Sequence, residues 1–189
     1  MTVMIPFDKG EANLDWLGLT DALAAGHDRP KATVEDVFLY REENTLLNRS
    51  AWIKGMGVAV KCATVFPANR DAGKPMIGGA VNLFSDEDGR LEAILDFHLV
   101  TKWKTAGDSL LAARKLARPD SKCILIVGAG TVGRSLHAAY SAAFPKATIT
   151  EVRSHEQVAA QAMAEALPEV EDEWDPFEED GYVPVRNWE

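Results

Sequence analysis

Basic residues are in short supply. Twenty lysines and arginines face 29 acids, for a formal charge of −9 over 189 residues. A general nucleic-acid binder needs a basic surface, so the balance argues against that class. Two cysteines, Cys62 and Cys123, are too few for a disulfide framework or a cysteine zinc site. They read instead as small buried core residues. No run approaches the ~20 apolar residues that a membrane span needs. The opening MTVMIPFDKGEANLDW has no basic stretch followed by an apolar one, so no secretory signal is expected and the cytoplasm is. The four histidines (His27, His98, His137, His155) show no ligand spacing, and no metal site is expected.

What is present fits a globular chain with a core: 47% apolar and 26% charged residues. The charge is uneven. Residues 168–189 hold nine acids and one base, Arg186, which leaves about −1 for residues 1–167. With three prolines and no helical or strand period, this segment reads as an acidic, largely disordered tail. Trp174, Phe177, Tyr182 and Trp188 are its candidate anchors for docking on this chain or a partner.

Residues 13–26 place Leu14, Leu17, Ala22 and Ala25 at helical spacing. Beyond 27–30 the pattern becomes that of strands, over 34–40, 45–52, 57–66, 77–84 and 91–96, with a Pro- and Gly-bearing loop at 67–75. The acidic Asp86-Glu87-Asp88-Gly89 reads as a hairpin turn rather than a metal loop. A helix over 97–117 follows, with Leu99, Trp103, Ala106, Leu110, Ala113 and Ala117 in one stripe. The first 117 residues thus predict an α+β unit, a mostly antiparallel sheet between two helices.

The apolar run 122–127 reads as a strand buried on both faces. Gly128-Ala129-Gly130-Thr131-Val132-Gly133 follows at once, then a helix-forming stretch to Phe144, a strand over 147–152 and a helix over about 155–167. A bare GxGxxG is weak, but between a buried strand and a helix it reads as a dinucleotide-binding turn. Gly128 would make the tight turn, Gly130 would admit a pyrophosphate, and Gly133 would let helix and strand pack closely. Phosphates would then meet the free N–H groups of Thr131, Val132 and Gly133 at the positive end of the helix. The competing reading is a structural turn without a ligand. At the end of the second strand, Glu151 would favour NAD and Arg153-Ser154 NADP. The position of Arg153 where the strand should end leans towards NADP.

Lys61 lies in GVAVKCATVF, on a strand face with Ala59, Ala63 and Val65. Two alanines leave room around the amine, and desolvation there would lower its pKa into a range useful for proton transfer. The plainer alternative is a lysine on the wet face of a half-exposed sheet. Arg41 and Arg49 belong to neighbouring strands, and either could hold a carboxylate. Lys102 and Lys104, two apart on the long helix, cannot face the same way.

GVAVKCATVFPANRDAGKP, the hairpin around DEDG, LVTKWKTAGDSLLAARKLARPDS and ILIVGAGTVG occur in an order and spacing that resemble the ornithine cyclodeaminase/μ-crystallin family, over about residues 13–167. The resemblance implies α/β architecture: an antiparallel-rich substrate-binding and dimerising α+β domain (1–117) and the first half of a Rossmann domain (118–167), ahead of the acidic tail (168–189). It implies a homodimer, NAD or NADP as cofactor, and a small amino- or imino-acid substrate, with no nucleic acid and no membrane. Lys61 matches the family's catalytic lysine. Arg41, with Arg49 second, resembles the substrate-carboxylate arginine.

The helix arginine of the family falls on Lys104, and a small hydroxyl residue falls on Met76. Both departures put ornithine itself in doubt. The chemistry implied is hydride removal from an amino acid to give an imine, followed by cyclisation and hydride return. Ketimine reductases and alanine dehydrogenases of the family run part of that cycle. Only 69 residues follow Asp120, whereas two βαβαβ halves need on the order of 130. The expectation is therefore a chain truncated within the Rossmann domain, without a counterpart of the family's acidic general base. The alternative of another class is a non-catalytic dimerising or dinucleotide-binding protein.

Overall fold

The computed structural model describes residues 1–118, 120–128 and 130–152. Arg153, Ser154, the helix expected over 155–167 and the tail over 168–189 lie outside the described residues.

A six-stranded sheet organises the first part of the chain. Its strands are β1 (Val3–Ile5), β2 (Thr33–Arg41), β3 (Asn44–Ile53), β4 (Gly57–Val65), β5 (Ile77–Phe84) and β6 (Leu91–Asp96), in spatial order β1-β6-β5-β4-β3-β2. Neighbours in sequence from β2 to β6 pair antiparallel, as short connections require, and β1 adds a parallel edge beside β6. The register sets Asp36 opposite Arg49, Arg49 opposite Lys61, and Lys61 opposite Val81. Strand alternation therefore puts Asp36, Arg49, Lys61 and Val81 on one face. Arg41, Leu39, Asn48 and Cys62 occupy the other.

Helix α3 (Phe97–Leu116) covers the first of these faces. It starts directly after β6, where the Asp96 carboxylate accepts the Leu99 N–H at 2.9 Å and caps the helix. Phe97 is 5% exposed and packs against Gly79 of β5. A Cβ on Gly79 would stand 2.9 Å from that ring and closer still to the Cys62 carbonyl.

The helices do not sandwich the sheet as the sequence suggests. Both α1 (Phe7–Glu11) and α2 (Trp16–His27) pack on α3. Trp16 stacks on Trp103 with centroids 4.0 Å apart, and Leu19 and Leu23 fit over Gly107. The second face of the sheet keeps Val37, Leu39 and Trp52 at half exposure or more. The reason is the stripe on α3. It takes up the apolar side of α2, so α2 has no need of the sheet.

The βαβ unit comprises β7 (Cys123–Val127), α4 (Thr131–Ala143) and β8 (Thr148–Val152), with β7 and β8 parallel. It joins the rest through α4 on α3. Ala106, Leu110 and Ala139 are fully buried together, with Leu136, Tyr140 and Phe144 around them. Tyr140 Oη and Ser109 Oγ are 3.0 Å apart. The expectation of a strand buried on both faces fails for β7, where only Ile126 is buried and Val127 is 62% exposed. Among the described residues β7 pairs on one side only, with β8, so its other edge is open there. Cys123 is exposed for the same reason and Cys62 half-buried, so neither is the buried core cysteine expected. Among the described residues no helix is long and apolar enough to cross a membrane.

Candidate functional site

Lys61 stands at the centre of the covered face. Its Nζ donates to Thr101 Oγ1 at 3.2 Å and lies 4.7 Å from the centre of the Phe97 ring. Phe97, Thr101 and Lys104 are spaced i, i+4 and i+7, so one side of α3 presents all three towards β4. The ammonium is held below the ordinary lysine value. Burial is the main cause, and the positive charges of Lys104 and Arg49 add to it.

Those two cations have carboxylates of their own. Arg49 grips Asp36 with two parallel hydrogen bonds, Nε to Oδ1 at 2.7 Å and Nη2 to Oδ2, the fork geometry for which arginine is suited. Hydrogen bonding to Arg49 holds the Asp36 carboxyl below the usual range. Lys104 Nζ is 2.5 Å from Asp108 Oδ2, one turn along α3. No ion pair is recorded for Lys61 among the described residues. Of the cations around this face, it is the one that meets a hydroxyl and a ring where the others meet an acid.

The expected site residues therefore divide. Arg49, Lys61 and Lys104 come together. Arg41 does not, because it pairs with Asn44 at the end of the β2–β3 hairpin, on the opposite face of the sheet. Lys102 turns away as expected, to Glu11 and the Phe7 ring. Met76 serves through its backbone, its carbonyl accepting the Phe66 N–H at 2.7 Å. Asp86 is a brace: it accepts from Trp52 Nε1 at 2.5 Å and from the Gly55 N–H at 2.6 Å. Among the described residues no group of acids, histidines and cysteines could hold a metal.

Three side chains of this cluster were not singled out from sequence: Asp36, Phe97 and Thr101. The signals were present. Asp36 alternates with Val34 and Phe38, which puts it on the Arg49 face once β2 and β3 are paired. Phe97 and Thr101 precede Lys104 by two turns and one turn.

The three glycines of the turn play different parts. Gly128 has φ +114°, a conformation that other residues avoid. A Cβ on Gly133 would stand 1.8 Å from the Gly128 carbonyl oxygen, so the helix can sit this close to the turn only with glycine there. Gly130 differs from both. It is the N-cap of α4 at ordinary φ, with nothing within 4 Å of a would-be Cβ, so no contact within the protein requires glycine there. Among the described residues no side chain caps α4, and the amides of Thr131, Val132 and Gly133 keep the unpaired character of a first helical turn. An open approach to free N–H groups suits the pyrophosphate of a dinucleotide. Arg153 and Ser154 lie outside the described residues.

A cavity of about 660 Å³ opens elsewhere, between Leu19, Leu23, His27, Ile53, Met56 and Asp108. It lies beside the C-terminal end of α2 and does not include Lys61.

The sequence profile of the ornithine cyclodeaminase/mu-crystallin family matches residues 50–174. A Delta(1)-pyrroline-2-carboxylate reductase of Paracoccus denitrificans is 44% identical over 167 residues, which is 88% of this chain and 53% of that protein. The chain thus spans about half the length of this curated relative. Among solved structures, an archaeal alanine dehydrogenase dimer with bound NAD superposes with a TM-score of 0.70 at 23% identity, over 87% of this chain and 52% of that one. The iminosuccinate reductase of Paracoccus denitrificans in complex with NAD+ gives 0.71 at 18% identity, over 87% and 54%. At these identities the two structures speak for the fold, an α+β unit followed by the first part of a Rossmann domain. The profile covers most of the chain, and the lysine strand and the glycine turn both fall within it: the chain belongs to the ornithine cyclodeaminase/mu-crystallin family.

Proposed function

We propose that the chain carries the substrate-binding part and the phosphate-binding turn of an NAD(P)H-dependent reductase of α-imino carboxylates. The observation that carries this reading is the Lys61 amine, poised on a hydroxyl and a ring between two cations. Residues 1–117 bind substrate and residues 118–167 the dinucleotide. A nicotinamide dinucleotide, when bound at Gly128–Gly133, supplies the hydride for the imine carbon. Lys61 gives the proton that the reduced nitrogen or its carboxylate needs, a task for an amine held below its ordinary pKa. Arg49 orients the substrate carboxylate, with Lys104 adding positive charge, and Arg41 takes no part. Thr101 holds the lysine amine in place between turnovers. Arg153 and Ser154 serve the 2′-phosphate of NADPH where that cofactor is used.

The reductase direction is preferred over cyclodeamination of ornithine. The similarity to a Delta(1)-pyrroline-2-carboxylate reductase supports this choice. The open sheet face with Val37, Leu39 and Trp52 is the proposed homodimer surface.

Titration of the full chain with NADH and NADPH, followed by tryptophan fluorescence, tests the cofactor site. Reduction of Δ1-pyrroline-2-carboxylate tests the chemistry, with Lys61→Ala as control. Saturable binding, with turnover lost in Lys61→Ala, is the expected result. Turnover that survives in Lys61→Ala would sink the assignment. Binding without any turnover would favour a non-catalytic dinucleotide-binding protein.

A further inference from the structure

The nearest precedent for the surroundings of Lys61 is chemical. An amine close to other cations, partly withdrawn from water and without a carboxylate of its own is the setting in which lysine acts as a nucleophile towards carbonyl carbon. Four observations converge at this amine. The strand neighbours on its face, Ala59 and Ala63, set no polar group beside the side chain, and Ala63 is buried. The cross-strand partner Arg49 and the helix residue Lys104 set positive charge around Nζ without a bond to it. Asp36 and Asp108 face Arg49 and Lys104 and are paired with them, so neither neutralises Lys61. The Thr101 hydroxyl lies within hydrogen-bond distance of the nitrogen that would attack, and can pass a proton to or from it.

We propose that Lys61 captures 2-oxo acids covalently, as an imine between its Nζ and the 2-carbon of the acid. The neutral amine adds its lone pair to the carbonyl carbon, and the C=O π electrons go to oxygen. A proton moves from nitrogen to that oxygen through the Thr101 hydroxyl, giving a carbinolamine. Loss of the oxygen as water, with a second proton supplied by solvent, forms the C=N bond. No oxidant or reductant is consumed and the step is reversible. Arg49, whose grip on Asp36 uses Nε and Nη2, offers Nη1 to the carboxylate, which restricts the class to oxo acids over plain ketones. The capture uses the Lys61 site of the proposed reductase but requires no dinucleotide, so the two readings can fail separately. Its consequence for that site is reversible occupation by the oxo-acid counterparts of amino acids.

Reductive trapping reads this directly. The full-length chain is incubated with pyruvate and cyanoborohydride, which reduces imines and spares the oxo acid, and is then weighed intact and peptide-mapped. The expected product is a protein heavier by one pyruvic acid less one oxygen atom, with the label on Lys61 at roughly tenfold or more over any other lysine, since burial and the neighbouring cations favour its free amine. Lys9, Lys31, Lys54 and Lys74 are exposed and serve as internal controls. Acetone, which lacks the carboxylate, is expected to label Lys61 far less. Thr101→Val keeps the shape of the side chain and removes the hydroxyl, and slower labelling in a folded variant is expected, with Thr101→Ser restoring the rate. Labelling spread over the exposed lysines, or no labelling at all, overturns the proposal. Equal labelling by acetone overturns the carboxylate recognition. An unchanged rate in Thr101→Val overturns the proton path. Dinucleotide binding measured on the same sample tells failure of this capture from failure of the reductase reading.

Discussion

At the scale of single residues, the sheet register decides what composition leaves open. Arg41 and Arg49 are chemically equivalent, and both lie upstream of the lysine strand. Pairing of β3 with β4 sets Arg49 opposite Lys61, and hairpin parity turns Arg41 to the far face. Arg49→Ala is therefore expected to weaken carboxylate binding by about 1.5–3 kcal/mol, the range for a hydrogen bond to a charged group, while Arg41→Ala leaves it unchanged. Substrate KM for the two variants, or competition by a carboxylate inhibitor, reads the difference. A second residue prediction concerns Glu11. Burial alone would raise its pKa, but hydrogen bonds from Lys102 and Trp103 outweigh this and hold it below the ordinary glutamate value. Its contribution to stability is thus present above the unfolded pKa, near ~4.3, and is lost as pH falls through the lower folded value. Glu11→Gln is expected to cost about 1–2 kcal/mol at neutral pH and little in acid, by urea denaturation at both.

At the scale of elements, α3 and the glycine turn carry the sharpest consequences. Leu110 is fully buried where α3 meets α4. Leu110→Ala is expected to destabilise the fold by about 2–5 kcal/mol, read as a lower denaturation midpoint. Gly133→Val would drive a Cβ into the Gly128 carbonyl, and is expected to abolish dinucleotide binding in a fluorescence titration while the six-stranded sheet persists by circular dichroism.

Most of these elements were legible in the sequence. Strands β5 and β6 fall where alternation places them, because each is bounded by strong turn residues. The long helix is found by its stripe, although the stripe fades beyond Leu110 and Ala117 is exposed. Strand β1 and helix α1 were not legible. VMI is too short to show a period, and β1 exists only because β6 offers it a parallel edge. The Lys61 cluster was half legible for a related reason. Its lysine and glycine turn are local patterns, but Thr101 and Asp36 acquire meaning only when three elements meet.

At the scale of the whole molecule, the sheet is covered on one face by α3 and presents apolar side chains on the other. The β2–β3 hairpin extends beyond the helices, so that Phe38 and Tyr40 are also exposed. A surface of this kind favours self-association. Leu39→Lys on the open face is expected to shift the chain towards monomer in sedimentation velocity without loss of secondary structure. Helix α3 belongs to both halves at once. Thr101 near its beginning steadies the Lys61 amine, and Leu110 two and a half turns on is locked to Ala139 of the glycine-turn unit. Twenty residues of α-helix form a rod about 30 Å long, stiffer than the loops at its ends. A tilt of the glycine-turn unit at Leu110 would therefore be carried along the rod to Thr101, tying the seating of Ala139 to the position of the lysine amine.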